Sequence, residues 1–203
     1  ELNEWALSLS QVQAWYQTQM NGDDISLHHL PNALFFKGSL DFDRLETAYK
    51  KVIQSHASLR TKFTEGPSQK VASIDQVPFE LETESGLSKT EAIEDMHKLS
   101  LAPFDIRVAP LFRAKLYRLE DGNCALFNCF HHIIFDGFSY EIFYRSLSSA
   151  YKSGKCIEEE SSFLDHVTWQ KNFLSQDSYK QGLEEWVNKL KGAPELDLPT
   201  DFT

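Results

Sequence analysis

Apolar residues along this chain recur with two periods, and the change from one to the other marks the elements. Residues 7–10 alternate and predict a short strand. In residues 11–20, Val12, Trp15, Tyr16 and Met20 return at helical spacing, with Ser10 placed as the N-cap. After the turn-like Asn21-Gly22-Asp23-Asp24, residues 32–37 read as a strand that Gly38 ends. Asp41 or Asp43 then caps a helix whose Leu45, Ala48, Tyr49, Val52 and Ile53 form one stripe, the mark of a helix lying on a sheet. Residues 59–64 and 70–74 flank the loop Glu65-Gly66-Pro67-Ser68 as a strand pair, and a further strand is expected at 79–84. Ala92, Ile93, Met96 and Leu99 give a helix over 89–101, stopped by Pro103. The clearest hairpin runs through 111–119, the turn Glu120-Asp121-Gly122-Asn123, and 124–130. Tyr140, Ile142, Phe143, Leu147 and Tyr151 predict a helix closed by Gly154, and two more helices follow over 163–174 and 179–190. The reading is an α+β lobe, a mixed or antiparallel sheet covered by helices.

Composition narrows the function classes. With 203 residues, 41% of them hydrophobic and 13% aromatic, the chain is large enough for a packed core. A net charge of −10 argues against nucleic-acid binding, because no Lys/Arg surplus is present to displace phosphate counterions. Cys124, Cys129 and Cys156 follow no metal-ligand spacing and read as reduced thiols of a cytoplasmic protein. No apolar run approaches a membrane span, and no signal pattern opens the chain, so neither a membrane location nor export is expected.

The second hairpin arm leads into His131-His132-Ile133-Ile134-Phe135-Asp136-Gly137. Here a titratable base, a carboxylate and a glycine N–H lie within a few residues, the parts of a proton-transfer site. A buried histidine at a strand end, followed by an ordinary Asp-Gly turn, accounts for the same spacing. Arg60 lies in an otherwise apolar strand, where it either faces solvent or points inward and needs a partner; Asp136 is the candidate. His28 and His29 form a second pair in a loop-like stretch without a neighbouring cysteine or paired carboxylates, so no metal site is expected there. His97 and His166 are single residues on helices. The chain lacks a G-x-S-x-G elbow, a Gly-rich phosphate loop and a Cys-x-x-Cys, which argues against covalent nucleophilic catalysis.

These residues resemble the condensation domains of nonribosomal peptide synthetases, acyltransferases related to chloramphenicol acetyltransferase. The principal motif of that family, HHxxxDGxS, is complete as residues 131–139. Leu7-Ser8, Gln11 and Trp15 match LSxAQxRLW, with Ser10, Gln13 and Ala14 departing from it. His56, Leu59-Arg60-Thr61 and Phe63 match RHExLRTxF, with Ser55 and Ala57 replacing Arg and Glu. Asp165 and Trp169-Gln170 match YxDFAxWQ, with Phe163, His166 and Val167 as departures. Pro103-Phe104-Asp105 and Pro110-Leu111-Phe112-Arg113 are similar to the family's PFD and PLLR stretches.

The resemblance implies a chloramphenicol-acetyltransferase-like lobe. Residues 1–191 correspond to the N-terminal lobe of a condensation domain and 192–203 to the linker toward a C-terminal lobe that this sequence does not contain. His132 corresponds to the catalytic histidine, acting as general base or positioner for the attacking α-amine. Asp136 corresponds to a structural aspartate paired with Arg60, Gly137 to a close backbone approach and candidate oxyanion donor, and His131 to a loop-shaping residue. The implied partners are peptidyl or aryl carrier protein domains, whose 4'-phosphopantetheine arms present the thioesters, and an adjacent adenylation domain. No cofactor is expected to bind the lobe directly, and no cofactor-binding residue is identified. The alternatives are an epimerization lobe, against which Phe138-Ser139-Tyr140 argues, and a carrier-protein-binding fragment without activity. Both histidines argue against a heterocyclization domain, and the isolated lobe is expected to be inactive.

Overall fold

The computed structural model describes residues 4–20, 25–157, 161–194 and 199. Two sheets organise them. The larger has the order β2 (His29–Phe36), β7 (Cys124–His131), β6 (Phe112–Leu119) and β5 (Glu82–Leu87). The smaller joins β1 (Glu4–Ala6), β4 (Ser68–Val71) and β3 (Thr61–Phe63). Around them lie α1 (Leu9–Met20), α2 (Phe42–Ser55), α3 (Lys89–Leu101), α4 (Gly137–Ser153), α5 (Phe163–Leu174) and α6 (Asp177–Leu190). The α+β arrangement expected from the sequence, a mixed sheet with helices packed over it, is the one observed.

Strand β7 is the axis of the fold, with all eight residues buried because both faces of the sheet are covered. Its residues alternate: Cys124, Leu126 and Phe130 join the core beneath α2 and α4, whereas Ala125, Phe127 and Cys129 join the core beneath α3. Asn128 is on the first face, where burial demands partners. It accepts from the Tyr49 hydroxyl at 2.6 Å and donates to Tyr144 Oη at 3.2 Å. The expected stripe of α2 is buried from Leu45 to Ile53, and Asp41 caps the helix by accepting from the Arg44 N–H at 3.0 Å.

Several expectations change. Residues 7–10 are not a strand: β1 ends at Ala6 and α1 begins at Leu9. Ser8, not Ser10, closes the helix start, because Ser8 Oγ accepts from the Gln11 N–H at 3.2 Å while the Gln11 side chain accepts from the Ser8 N–H at 3.1 Å. The strand expected at 79–84 is displaced to Glu82–Leu87, a polar segment that pairs parallel to β6. Tertiary pairing supplies what its apolar content lacks, since Lys115 on β6 bridges Glu84 and Asp95 at 2.6 and 2.7 Å. Finally, His28 and His29 do not sit in a loop: His29 opens β2 and stands opposite His131 in the sheet. Of the linker expected over 192–203, residues 195–198 and 200–203 lie outside the described residues.

Candidate functional site

Strand β7 ends at His131, and α4 begins at Gly137 after five intervening residues. The segment between them is held by two apolar anchors. Ile133 is buried with Trp15, Phe63, Ile106 and Leu111. Phe135 stacks on Phe130 with ring centroids 3.8 Å apart and planes 5° from parallel. With Ile133 and Phe135 turned inward, His132 and Asp136 are exposed.

Polar contacts complete the loop. The His132 N–H donates to the His28 carbonyl at 2.7 Å, and the Ile134 N–H donates to the His131 carbonyl at 3.1 Å. Gln11 Nε2 donates to the Ile133 carbonyl at 3.4 Å and to Gln69 Oε1 at 3.1 Å. Gln69 returns a hydrogen bond to Gln11 at 2.9 Å and donates to the Ala6 carbonyl at 2.8 Å. This buried amide pair ties α1 and β4 to the loop. Gln11 matched a family motif without an assigned part, and nothing in the sequence singled out Gln69.

His131 is fully buried. Its Nδ1 accepts from the Ile133 N–H at 3.1 Å, a local bond at the strand end. Burial, with the neighbouring His28, His29 and His132 adding to it, pushes its pKa down to about 3. His28 and His29 are lowered for the same first reason, desolvation. The imidazole of His132 has no hydrogen-bond partner among the described residues. It lines a cavity of about 410 Å3 together with His28, Gln11, Asp136, Ser139 and Phe163. His28 is thus a cavity residue that sequence reasoning set aside. Its signal, a second His-His pair, was visible; its place beside the first pair was not.

The expected ion pair between Arg60 and Asp136 does not form. Arg60 stands in a 3-10 turn (Ala57–Arg60) before β3, and its guanidinium donates to the carbonyls of Ile53, Gln54 and Ala72. The first two belong to the last turn of α2, whose unsatisfied carbonyls and negative dipole end attract a cation. Asp136 instead caps α4, accepting from the Ser139 N–H at 2.9 Å and the Ser139 hydroxyl at 2.6 Å. The Asp136 N–H donates to Ser139 Oγ at 3.2 Å. Gly137 is the first residue of α4, where N–H groups have no intrahelical carbonyl to bond. Its φ is not in the left-handed region and a Cβ there meets nothing within 4 Å, so the fold itself does not require glycine at that position.

The arrangement therefore presents, among the described residues, an imidazole without a hydrogen-bond partner and a helix N-terminus at one cavity, one able to take a proton and the other to face negative charge. Among the described residues no cluster is arranged to hold a metal ion, and no helix is long and apolar enough to cross a membrane. A family model described as Condensation domain matches residues 3–203. The chain is 32% identical over 202 residues to gramicidin S synthase 2 of Brevibacillus brevis, covering 98% of this chain and 4% of that protein. It is 30% identical over 204 residues to bacitracin synthase 3 of Bacillus licheniformis, covering 100% and 3% respectively. Its fold is similar to that of a point mutant of the starter condensation domain of rhizomide synthetase, with a TM-score of 0.83 at 18% identity over 95% of this chain and 49% of that one. The chain thus spans about half the length of a solved condensation domain and a small part of each synthase. Motifs, fold and family match together place it in the condensation-domain family of nonribosomal peptide synthetases.

Proposed function

We propose that this chain is the N-terminal lobe, residues 1–191, of a condensation domain that joins two carrier-bound thioesters by an amide bond. Residues 192–203 lead toward the second lobe. The observation that carries the reading is the exposed imidazole of His132 on the cavity wall, without a hydrogen-bond partner among the described residues. The α-amine of an acceptor aminoacyl thioester attacks the carbonyl of a donor thioester, forming the C–N bond and expelling thiolate. His132 accepts the amine proton or orients the amine. The Gly137 N–H, at the positive end of the α4 dipole, faces the oxygen on which charge develops. Asp136 serves this geometry as the cap that fixes the start of α4, and His131 as the residue that turns the chain.

Carrier protein domains present both substrates on 4'-phosphopantetheine, and an adenylation domain adjoins the complete protein, which acts in the cytoplasm. The face of α5 and α6 supports the half-domain reading: Trp169, Leu183, Trp186, Val187 and Leu190 are each more than half exposed, and α6 buries no residue. In the complete domain, His132→Ala is expected to abolish product, followed by mass spectrometry of the loaded carrier, while circular dichroism stays unchanged. Full turnover by this variant ends the proposal. The 203-residue chain alone is expected to be inactive, since it spans about half of a solved condensation domain; condensation between two loaded carriers by this chain alone contradicts the half-site reading.

A further inference from the structure

Behind His132, three buried ring nitrogens have no hydrogen-bond partner among the described residues: Nε2 of His28, of His29 and of His131. The His131 ring lies 5.8 Å from that of His28, 19° from parallel, and 6.1 Å from that of His29. Their existing bonds determine two tautomers. His29 Nδ1 is 2.6 Å from the Ser100 carbonyl. A carbonyl only accepts, so Nδ1 carries the hydrogen and Nε2 of the neutral ring keeps a lone pair. His131 Nδ1 accepts from the Ile133 N–H, so its Nε2 carries the hydrogen. A buried donor and a buried acceptor therefore sit in adjoining rings without bonding each other. A water bonded at about 2.9 Å on each side spans up to about 6 Å between them.

We propose that one buried water bridges the Nε2 atoms of His28, His29 and His131, and that this unit seats His132, with His28 as a positioning residue. The count of hydrogens closes. The water accepts from His131 Nε2–H and donates its two hydrogens to Nε2 of His29 and of His28, which makes His28 the Nδ1–H tautomer. Three partners are the usual number for a buried water. Burial keeps all three rings toward the neutral form that this pattern needs. The unit reaches His132 through the backbone: the His28 carbonyl receives the His132 N–H, and His29 pairs with His131 across β2 and β7. The water thus joins the two strand ends from which the catalytic loop departs.

Only the importance of His132 rests on the amide-forming reading; the test uses no substrate and separates the two. Long-range 1H–15N correlation spectra of the histidine-labelled chain at about pH 7.5, above the ordinary histidine range, are expected to show His131 as Nε2–H, and His28 and His29 as Nδ1–H. The opposite tautomer at any of the three overturns the bridge. His28→Phe keeps a ring to stack on His131 but removes Nε2, and is expected to speed exchange of the His132 amide about tenfold. His28→Gln, which restores an acceptor, is expected to return it to within about twofold of the native rate. Unchanged His132 protection in His28→Phe refutes the positioning role. The tautomers decide the bridge even where that variant fails to fold.

Discussion

Acidification to about pH 5 is expected to destabilise this chain mainly through His131. Burial pushes that imidazole from an ordinary value of 6.5 to about 3. In the unfolded chain it takes up a proton near pH 6.5, whereas in the folded chain it stays neutral until about pH 3. Between those limits the unfolded state binds one more proton, so stability falls as pH falls, by about 1.4 kcal/mol per unit. From about pH 7.5 to about pH 5.0 this one residue is worth about 2 kcal/mol, and His28 and His29, also lowered, act in the same direction. Carboxylates lowered by their partners, such as Asp95 beside Lys115 and Tyr117, lose their contribution in a lower window, as pH falls through the carboxylate range. Urea unfolding followed by tryptophan fluorescence at the two pH values isolates the effect when the native chain is compared with His131→Asn. That variant keeps an acceptor for the Ile133 N–H while removing the titrating ring. The native chain is expected to lose about 2 kcal/mol more than the variant over this interval. Equal losses in the two proteins would refute the assignment of His131 as a buried neutral imidazole.

Other substitutions separate the parts of the site. Asp136→Ala removes an exposed N-cap and is expected to cost about 1 kcal/mol in chemical denaturation; a loss several times larger would restore a buried ion pair. Arg60→Ala withdraws a guanidinium from three carbonyls at and beside the end of α2 and is expected to cost about 2 kcal/mol, with no coupling to Asp136 in a double-mutant cycle. Phe135→Ala opens a cavity against Phe130 and is expected to cost about 3 to 5 kcal/mol and to lower the activity of the complete domain. Native-like melting of that variant would show that the loop is anchored elsewhere.

Local pattern carried most of the fold. The stripe of α2, the hairpin of β6 and β7 and the helices α3 to α6 follow from residue spacing, because each buries one face at a period that sequence displays directly. Misplaced elements are those whose stability is not local. Strand β5 is polar and is ordered by parallel pairing with β6, and residues 7–10 turn into a helix start once Ser8 and Gln11 satisfy each other's backbone. At the site, the motif from His131 to Gly137, read together with the family resemblance, pointed to the loop that borders the cavity.

Tertiary structure decided the partners. Arg60 and Asp136 invited pairing on charge, but the carbonyls ending α2 lie closer to the first and the start of α4 to the second. Charge complementarity is legible in one dimension, whereas the competition between possible partners is settled only in three. The same holds for His28 and His29, remote in the chain and placed beside His131 by an antiparallel register between β2 and β7. Sequence determined which chemical groups this chain contains and where the loop that bears His132 begins. Only the fold determined which of those groups face one another, because hydrogen bonds and burial depend on distances that the chain order does not encode.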